Sequence, residues 1–400
     1  MNNLDIPTVI HPDLTQTAGI ASKSFSGASA GNEHYISVEA PAGLTFSEQL
    51  DIVEQRYAQA MESLALSSQS AVFRRIFLSD VLNQADLVHV SVLVTETKDN
   101  PVAVSIVQQP PLSGAKIALL AYHIESPAPF VKQRISPQHV IIGKSGLRHL
   151  WSTRLCTGAS DASPPPVTEQ TRQAFTGLID TLSDLGGTLR DHCIRTWIYL
   201  RNVDVFYQGM VDSRTELFEE QGLTADTHYI ASTGIEGACA HRSDLVMMDA
   251  YSVLGMAPQQ MSFLNDFDHL CATKDYNVTF ERGTRIAYAD RAHHFISGTA
   301  SIDTAGRVVH PGDVLKQLGL ALTNVDALLR AGAAGLNDMM HLLVYLRDPT
   351  DYASVRRYLS ARFPALPILI VQGAVCRPDW LIEVECIAMV ARDAPELPAF

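Results

Sequence analysis

From residue 34 onward the chain alternates short apolar runs of strand period with longer stretches of helical period. A strand at 34–38 leads to a helix opening at Thr45 or Ser47 and running through Gln49, Ile52, Val53, Tyr57 and Met61. Strands follow at 71–78, 102–107 and 116–122, the last two joined by the loop Gln108-Gln-Pro-Pro111. Residues 1–30, with Pro7, Pro12 and a small-residue patch at 24–30, hold no period and read as an extended arm.

The same order of elements recurs twice. The second copy has a strand at 148–153, a helix from Gln170 through Phe175, Leu178, Ile179 and Leu182, a strand at 195–201, and closing strands at 227–233 and 245–251. The third has a strand at 293–299, a helix from about Gln317 through Leu320, Leu322, Val325 and Leu328, a strand at 342–347, and a final apolar run from Leu381 to Val390. Tyr199-Leu-Arg-Asn202 matches Tyr345-Leu-Arg-Asp348, and Leu78-Ser-Asp80 is a weaker echo. The division is then an arm at 1–30 and units at 31–128, 129–258 and 259–400. Each unit falls short of the ~150 residues at which burial becomes comfortable, so each should hide a sheet face against its neighbours. This predicts an α/β (α+β) fold of three repeats closing into an intramolecular pseudo-trimer, with binding clefts between units.

Composition narrows the function. With 46% hydrophobic and 18% charged residues the 400-residue chain is globular, and a net charge of −13 with no basic stripe longer than Arg356-Arg357 excludes a nucleic-acid partner. No apolar run approaches the ~20 residues that span a bilayer, and the start has no charged segment followed by an apolar one, so a cytoplasmic protein is expected. The six cysteines, at 156, 193, 239, 271, 376 and 386, lack CxxC spacing and read as free thiols. His293 and His294 point to opposite faces of a strand, and no GxGxxG or GxxxxGK[ST] run occurs, so neither metal nor cofactor is expected.

The last apolar run carries two acids, Glu383 and Glu385, on one strand face. Burying a lone carboxylate costs several kcal/mol or forces it to hold a proton, and a protonated carboxylic acid near neutral pH is what proton donation to carbon requires. Pairing with an arginine, or exposure at a sheet edge, is the alternative. Setting the three last strands side by side places Glu383 opposite Met248 in the second copy and Ala118 in the first, so one cleft holds the acid.

Phe295-Ile-Ser-Gly-Thr-Ala-Ser-Ile-Asp303, the segment Ala331-Gly-Ala-Ala-Gly-Leu-Asn-Asp338 and Ile382-Glu-Val-Glu-Cys-Ile-Ala388 resemble the YjgF/Rid superfamily. That resemblance implies clefts shared by neighbouring units. Its imine-hydrolysing members hold the substrate carboxylate with an arginine just after a proline in the next-to-last strand. Ile368 and Leu369 follow Pro367 here, and neither Ala103-Val104 nor Ile230-Ala231 supplies the arginine in the other copies, which argues against imine deamination. A narrower resemblance rests on Phe280-Glu-Arg-Gly-Thr-Arg285 and Val375-Cys-Arg-Pro-Asp-Trp-Leu-Ile-Glu383, with Val107-Gln-Gln-Pro-Pro-Leu112 and the run 227–234 beside them. These look like the chorismatases, which hydrolyse chorismate to pyruvate plus a cyclohexadiene diol or a hydroxybenzoate.

The resemblance places the family's catalytic glutamate on Glu383, with Glu385 as runner-up, and implies a dianionic small-molecule substrate, chorismate. Cations for it are sought on one face of the second copy's strand, where Arg195, Trp197, Tyr199 and Arg201 alternate, and at Arg347 in the third, with salt bridges to Asp204 or Asp348 as the alternative role. Arg201 is favoured, because Rid clefts combine the acid of one unit with the strands of the next. Tyr207, Tyr229, Thr233 and Gly234 would face the cleft from the second copy, and Arg282, Ser297 and Gly298 from the third. Cys376 points to 3-hydroxybenzoate as product, whereas Ala289 resembles the diol-forming pattern. A Rid-type hydrolase or lyase acting on another enol or imine acid, and a non-catalytic metabolite-binding protein, are the rival readings. A monomer, or a low-order homo-oligomer of pseudo-trimers, is expected.

Overall fold

The computed structural model describes residues 19–28, 31–127, 130–158, 163–271, 273 and 278–400. The first repeat runs β1 (Ile20–Ser26), β2 (Asn32–Glu39), α1 (Phe46–Ser63), β3 (Ala71–Leu78), α2 (Val81–His89), β4 (Ala103–Gln108) and β5 (Ile117–Glu125). The second runs β6 (Val131–Ser136), β7 (His139–Lys144), β8 (Leu147–Leu155), α3 (Val167–Asp184), α4 (Leu189–His192), β9 (Cys193–Leu200), α5 (Val203–Glu220), β10 (Ala231–Glu236) and β11 (Val246–Leu254). The third runs β12 (Met261–Phe263), β13 (Gly283–Ala287), β14 (Arg291–Ala300), α6 (Val314–Ala331), β15 (Met339–Leu346), α7 (Tyr352–Arg362), β16 (Ile368–Gln372) and β17 (Ile382–Ala391). Residues 1–18, 29 and 30 of the expected arm lie outside the described residues. Its remainder is no arm: β1 pairs antiparallel with β2 along its whole length.

Three sheets result, ordered β1-β2-β5-β3-β4, β10-β9-β11-β8-β7-β6 and β12-β13-β14-β17-β15-β16. They share one four-strand core, β2-β5-β3-β4, repeated as β8-β11-β9-β10 and β14-β17-β15-β16. In each, the last pair of that order is parallel. An 18-residue helix follows the first core strand in every repeat: α1, α3 and α6. Thr45 and Glu48 form a capping box at the start of α1, and Asp313 caps α6.

The repeats meet pairwise, β4 against β8, β10 against β14, and β1 and β2 against β15. Backbone bonds join their inner ends, from Gln108 to Ala238, Leu112 to Ile370 and Glu236 to Ala374. The contacts close a ring, the expected intramolecular pseudo-trimer.

The ladder fixes which residues correspond. Phe77 faces Ala118, Tyr199 faces Met247 and Tyr345 faces Glu383. The counterpart of Glu383 in the second repeat is therefore Met247, not Met248. The one-residue slip matters, because it makes Asp249 the counterpart of Glu385 and adds a second acid to that face.

The inner faces of β3, β9 and β15 carry Phe73, Arg75 and Phe77; Arg195, Trp197 and Tyr199; and His341, Leu343 and Tyr345, all buried. One apolar cluster joins residues of all three repeats there. Inside it Arg75 Nη2 lies 3.3 Å from Asp249 Oδ2, and Arg75 Nη1 lies 3.8 Å from Glu385 Oε1. The guanidinium sits 4.6 Å from the centre of the Trp197 ring. Arg195 Nη2 donates to Glu385 Oε2 at 2.8 Å. Two buried arginines thus balance two buried carboxylates across three repeats.

Removing one member leaves the others charged and dry, at a cost of about 3–5 kcal/mol. Arg75→Met is expected to lower unfolding free energy by about that amount in urea titration. Unchanged stability would show that the ring does not depend on this array.

Candidate active site

A cavity of about 330 Å³ lies between the second and third repeats. Tyr207, Gln208 and Arg214 of α5 and Ser232, Thr233 and Gly234 of β10 form one side. Val278, Phe280, Arg282, Gly298, Ala300, Ile302, Cys376, Arg377, Trp380 and Glu383 form the other.

Glu383, 6% exposed, points into it from the start of β17. Burial pushes its carboxyl up to about 8, the neighbouring Glu385 charge adds to the shift, and Arg195 and Arg282 offset part of it. Glu383 therefore holds a proton at neutral pH. Glu385 lies two residues on, in a different setting. Its oxygens accept from Arg195 Nη2 and Trp197 Nε1, each at 2.8 Å, and from the Thr233 hydroxyl. One carboxyl is locked in an ion pair while its neighbour is kept neutral, a division that separates acid from charge.

Space for Glu383 comes from a bulge. The register of β14 on β17 shifts between Ile296 and Thr299, and Gly298 sits in the shift. A Cβ at Gly298 would collide with the Glu383 carboxylate, coming within 2.8 Å of Cδ, and would stand 3.0 Å from Thr233 Cγ2. The Gly298 N–H donates to Thr233 Oγ1 at 2.9 Å, and Arg195 Nη2 donates to the same oxygen at 2.5 Å. Acid, bulge and central ion pairs are thus joined through Thr233.

Three cations border the cavity. Buried Arg214 is oriented by Thr279 Oγ1, 3.1 Å from its Nε. Buried Arg282 packs 5.4 Å from the Phe280 ring centre and donates to the Cys271 carbonyl. Arg377 lies 4.6 Å over the Trp380 ring.

Of the residues singled out in the sequence, Glu383, Tyr207, Thr233, Gly234, Arg282, Gly298 and Cys376 line the cavity. Arg195 stands behind it, reaching it through Thr233. Arg201, Arg347 and Tyr229 do not line it, contrary to expectation. The strand alternation that put Arg201 inward ends at Leu200, and Asn202 then turns left-handed at φ 57°. Arg201 is directed instead to the carbonyls of Cys239, His241 and Asp244, each at 3.4 Å. Arg347 likewise follows the last residue of β15 and clasps Asp204 at 2.8 and 2.9 Å, the salt-bridge alternative. Tyr229 precedes β10, where its N–H donates to Glu281 at 2.9 Å and its ring stacks on Phe218. Ser297 holds the two repeats together, its hydroxyl accepting from the Ser232 N–H at 2.9 Å.

Arg214 escaped sequence reasoning with its helix. The signal was present, since Val203, Phe206, Tyr207, Met210, Val211, Leu217 and Phe218 recur at helical spacing. The start of α5 is secured from afar, by Glu236 accepting from the N–H groups of Asn202 and Val203 at 2.8 and 2.6 Å. Arg377 and Trp380 lie within the Cys376-Arg-Pro-Asp-Trp380 motif. Burial pushes the Cys376 thiol up to about 12, with Glu383 the next cause, so it stays protonated. Ala289 is outside the cavity, its N–H donating to the Pro398 carbonyl at 3.0 Å.

Comparison with known proteins fits this arrangement. The family model described as endoribonuclease L-PSP matches residues 285–390. The RutC family protein PH0854 of Pyrococcus horikoshii is 34% identical over 96 residues, 24% of this chain and 76% of that protein. The chain belongs to the RutC family, part of the YjgF/Rid superfamily. Beyond that single repeat, a Streptomyces hygroscopicus protein named 3-hydroxybenzoate synthase is 27% identical over 56% of this chain and 70% of its own length. A chorismatase of the same organism is 27% identical over 54% of this chain and 66% of its own length. A chorismatase crystal structure, 18% identical, shares the fold over 93% of this chain and 100% of that one, with a TM-score of 0.62. The resemblance to chorismatases expected from the motifs around Phe280 and Cys376 therefore holds. Among the described residues no helix is long and apolar enough to cross a membrane.

A carboxyl near 8 in the folded chain and at 4.5 in an ordinary setting leaves a thermodynamic mark. Between those values the folded chain keeps a proton that the unfolded chain has lost. The associated stability is full below about pH 4.5 and is lost as pH rises through about 8. Glu383→Gln removes this dependence, so its stability relative to wild type should rise by on the order of a few kcal/mol from about pH 5 to about pH 8. Gly298→Ala, by pushing the carboxyl from its seat, should flatten the wild-type slope in the same denaturation series. Parallel curves for all three proteins would contradict the shift.

Proposed function

We propose that the chain converts chorismate to pyruvate and 3-hydroxybenzoate, with Glu383 as the general acid. The observation that carries this reading is a carboxyl held near 8 inside a cavity bordered by buried arginines. The relatives named chorismatase and 3-hydroxybenzoate synthase support the substrate. The cavity has the size of a small-metabolite site.

Chorismate carries two carboxylates and an enol ether. Arg214 from the second repeat and Arg282 from the third hold the carboxylates from opposite sides, with Arg377 at the rim. Glu383 gives its proton to the terminal methylene carbon. The double-bond electrons form the new C–H bond, and the ether oxygen shares the positive charge left on the adjacent carbon. Glu383, now ionised, stabilises that cation beside the fixed charge of Glu385 and can take back a proton from the group that traps it.

Trapping decides the product. Water would give a hemiketal that collapses to pyruvate and a diol, consuming one water. Attack on the cation by the ring's own hydroxyl gives a cyclic ketal. Cleavage of that hydroxyl's bond to the ring with loss of the neighbouring ring C–H proton aromatises the ring, and the remaining hemiketal collapses to pyruvate and 3-hydroxybenzoate with no net water. Cys376 favours the second course, because a neutral thiol against the acid neither activates nor firmly orders a water molecule. Ala289, which resembles the diol-forming pattern, lies outside the cavity. One chain supplies both walls, so a monomeric pseudo-trimer suffices for activity.

The test is pyruvate release from chorismate in a coupled dehydrogenase assay, with the co-product identified by mass and ultraviolet spectrum. Wild type should release pyruvate, and Glu383→Gln should be slower by about 10²–10⁴-fold. The wild-type rate should decline above about pH 8, where the acid loses its proton. No release by folded wild type would sink the reading, equal rates would remove Glu383 as the acid, and a diol would overturn the role given to Cys376.

A further inference from the structure

The cleft between the first and second repeats is the counterpart of the cavity and has different contents. By the strand registers Met247 stands where Glu383 does, and the shift in β8 between Ser152 and Leu155 matches that in β14. Arg154 then replaces Gly298, and Cys156 replaces Ala300. Among the described residues this cleft has neither a counterpart of the Glu383 carboxyl nor the glycine that makes room for it.

Something else has gathered there. Cys156 Sγ, a ring nitrogen of His241 and a carboxylate oxygen of Asp244 all lie within 4.8 Å of one another. Cys239 lies beside two of them, its Sγ 3.7 Å from Asp244 Oδ2 and its thiol in hydrogen-bond contact with that of Cys156. The donors come from the end of β8 and from the segment Cys239-Ala-His241-Arg-Ser-Asp244, which is why cysteine spacing alone did not reveal them. Cys239 and Asp244 are buried, Cys156 is half-buried and His241 is exposed.

The surroundings hold these donors in place. Thr157 Oγ1 donates to Asp244 Oδ1 at 2.5 Å, and the Gly158 N–H to Asp244 Oδ2 at 3.1 Å. Arg201 bonds the carbonyls of Cys239, His241 and Asp244, so the arginine sought in the substrate site secures this loop instead.

We propose that Cys156, Cys239, His241 and Asp244 bind one thiophilic divalent cation of the zinc class. Two sulfurs, one imidazole nitrogen and one carboxylate oxygen make a four-donor set suited to tetrahedral Zn²⁺, whereas thiols disfavour Mg²⁺ and Ca²⁺. Binding exchanges the two thiol protons for the cation and leaves no donor position open, so the ion is structural. It clips the 239–244 loop to the end of β8 in the cleft where Met247 stands in place of Glu383. A rotation of the exposed His241 ring completes the shell.

The experiment uses the full reduced chain, loaded with zinc, desalted and analysed by elemental mass spectrometry, with a parallel cobalt titration followed by absorption. One zinc per chain is expected, with thiolate-to-cobalt charge transfer and the d–d bands of a tetrahedral site. His241→Ala, at an exposed position that keeps the fold by circular dichroism, should weaken zinc by about 10-fold or more. The double variant Cys156→Ser with Cys239→Ser should lose the charge-transfer band. The proposal is overturned by substoichiometric zinc in reduced wild type, by cobalt binding without a thiolate band, or by affinity unchanged in His241→Ala. These readouts on wild type and His241→Ala decide the matter even where the double variant does not fold.

Discussion

The rest of the structure depends on ion pairs in a dry interior. Arg75 of the first repeat lies between Asp249 of the second and Glu385 of the third, and Arg195 of the second completes the set. A buried charge is tolerable only when paired and hydrogen-bonded, so each repeat needs residues that the others supply. The same array reaches the cavity. Burial, and after it the Glu385 charge, raises the carboxyl of Glu383, Arg195 donates to Thr233, and Thr233 holds the bulge that gives Glu383 its room. Assembly of the ring and the raised carboxyl of Glu383 draw on one electrostatic arrangement.

Three copies of one unit have diverged by single residues at corresponding positions. Where the third repeat has Glu383, the second has Met247 and the first Ala118; where it has Gly298, the second has Arg154. Steric room and a raised carboxyl coincide in one cleft. Helices differ as well, since α5 has 18 residues where α2 has 9 and α7 has 11. The longer helix carries Tyr207 and Arg214 to the cavity. Its sister cleft holds thiols and an imidazole in the corresponding region.

Much of this was legible in the amino-acid order. Strand alternation and helical periodicity report which faces are buried, and burial is a local demand on residue type, so the three repeats, their long helices and their central strands stand out along the chain. Glu383 was legible for the same reason, as a carboxylate inside an apolar run where a charge needs an explanation. Positions near strand ends were not. Arg201 and Arg347 continue the alternation on paper, but the strands stop one residue earlier and both arginines turn to other partners.

Tertiary structure decided what depends on register and on distant neighbours. A slip of one residue along β11 separates Met247 from Met248, and only the hydrogen-bonded ladder to β9 resolves it. The 8 of Glu383, the neutral thiol of Cys376 and the meeting of Cys156 with Asp244 arise between groups far apart in the chain. The sequence by itself determined which residues must be buried and in what secondary structure. Which of them then share a cavity, and with what charge, was left to the packing of three repeats, because electrostatic shifts depend on distances through space that linear order does not encode.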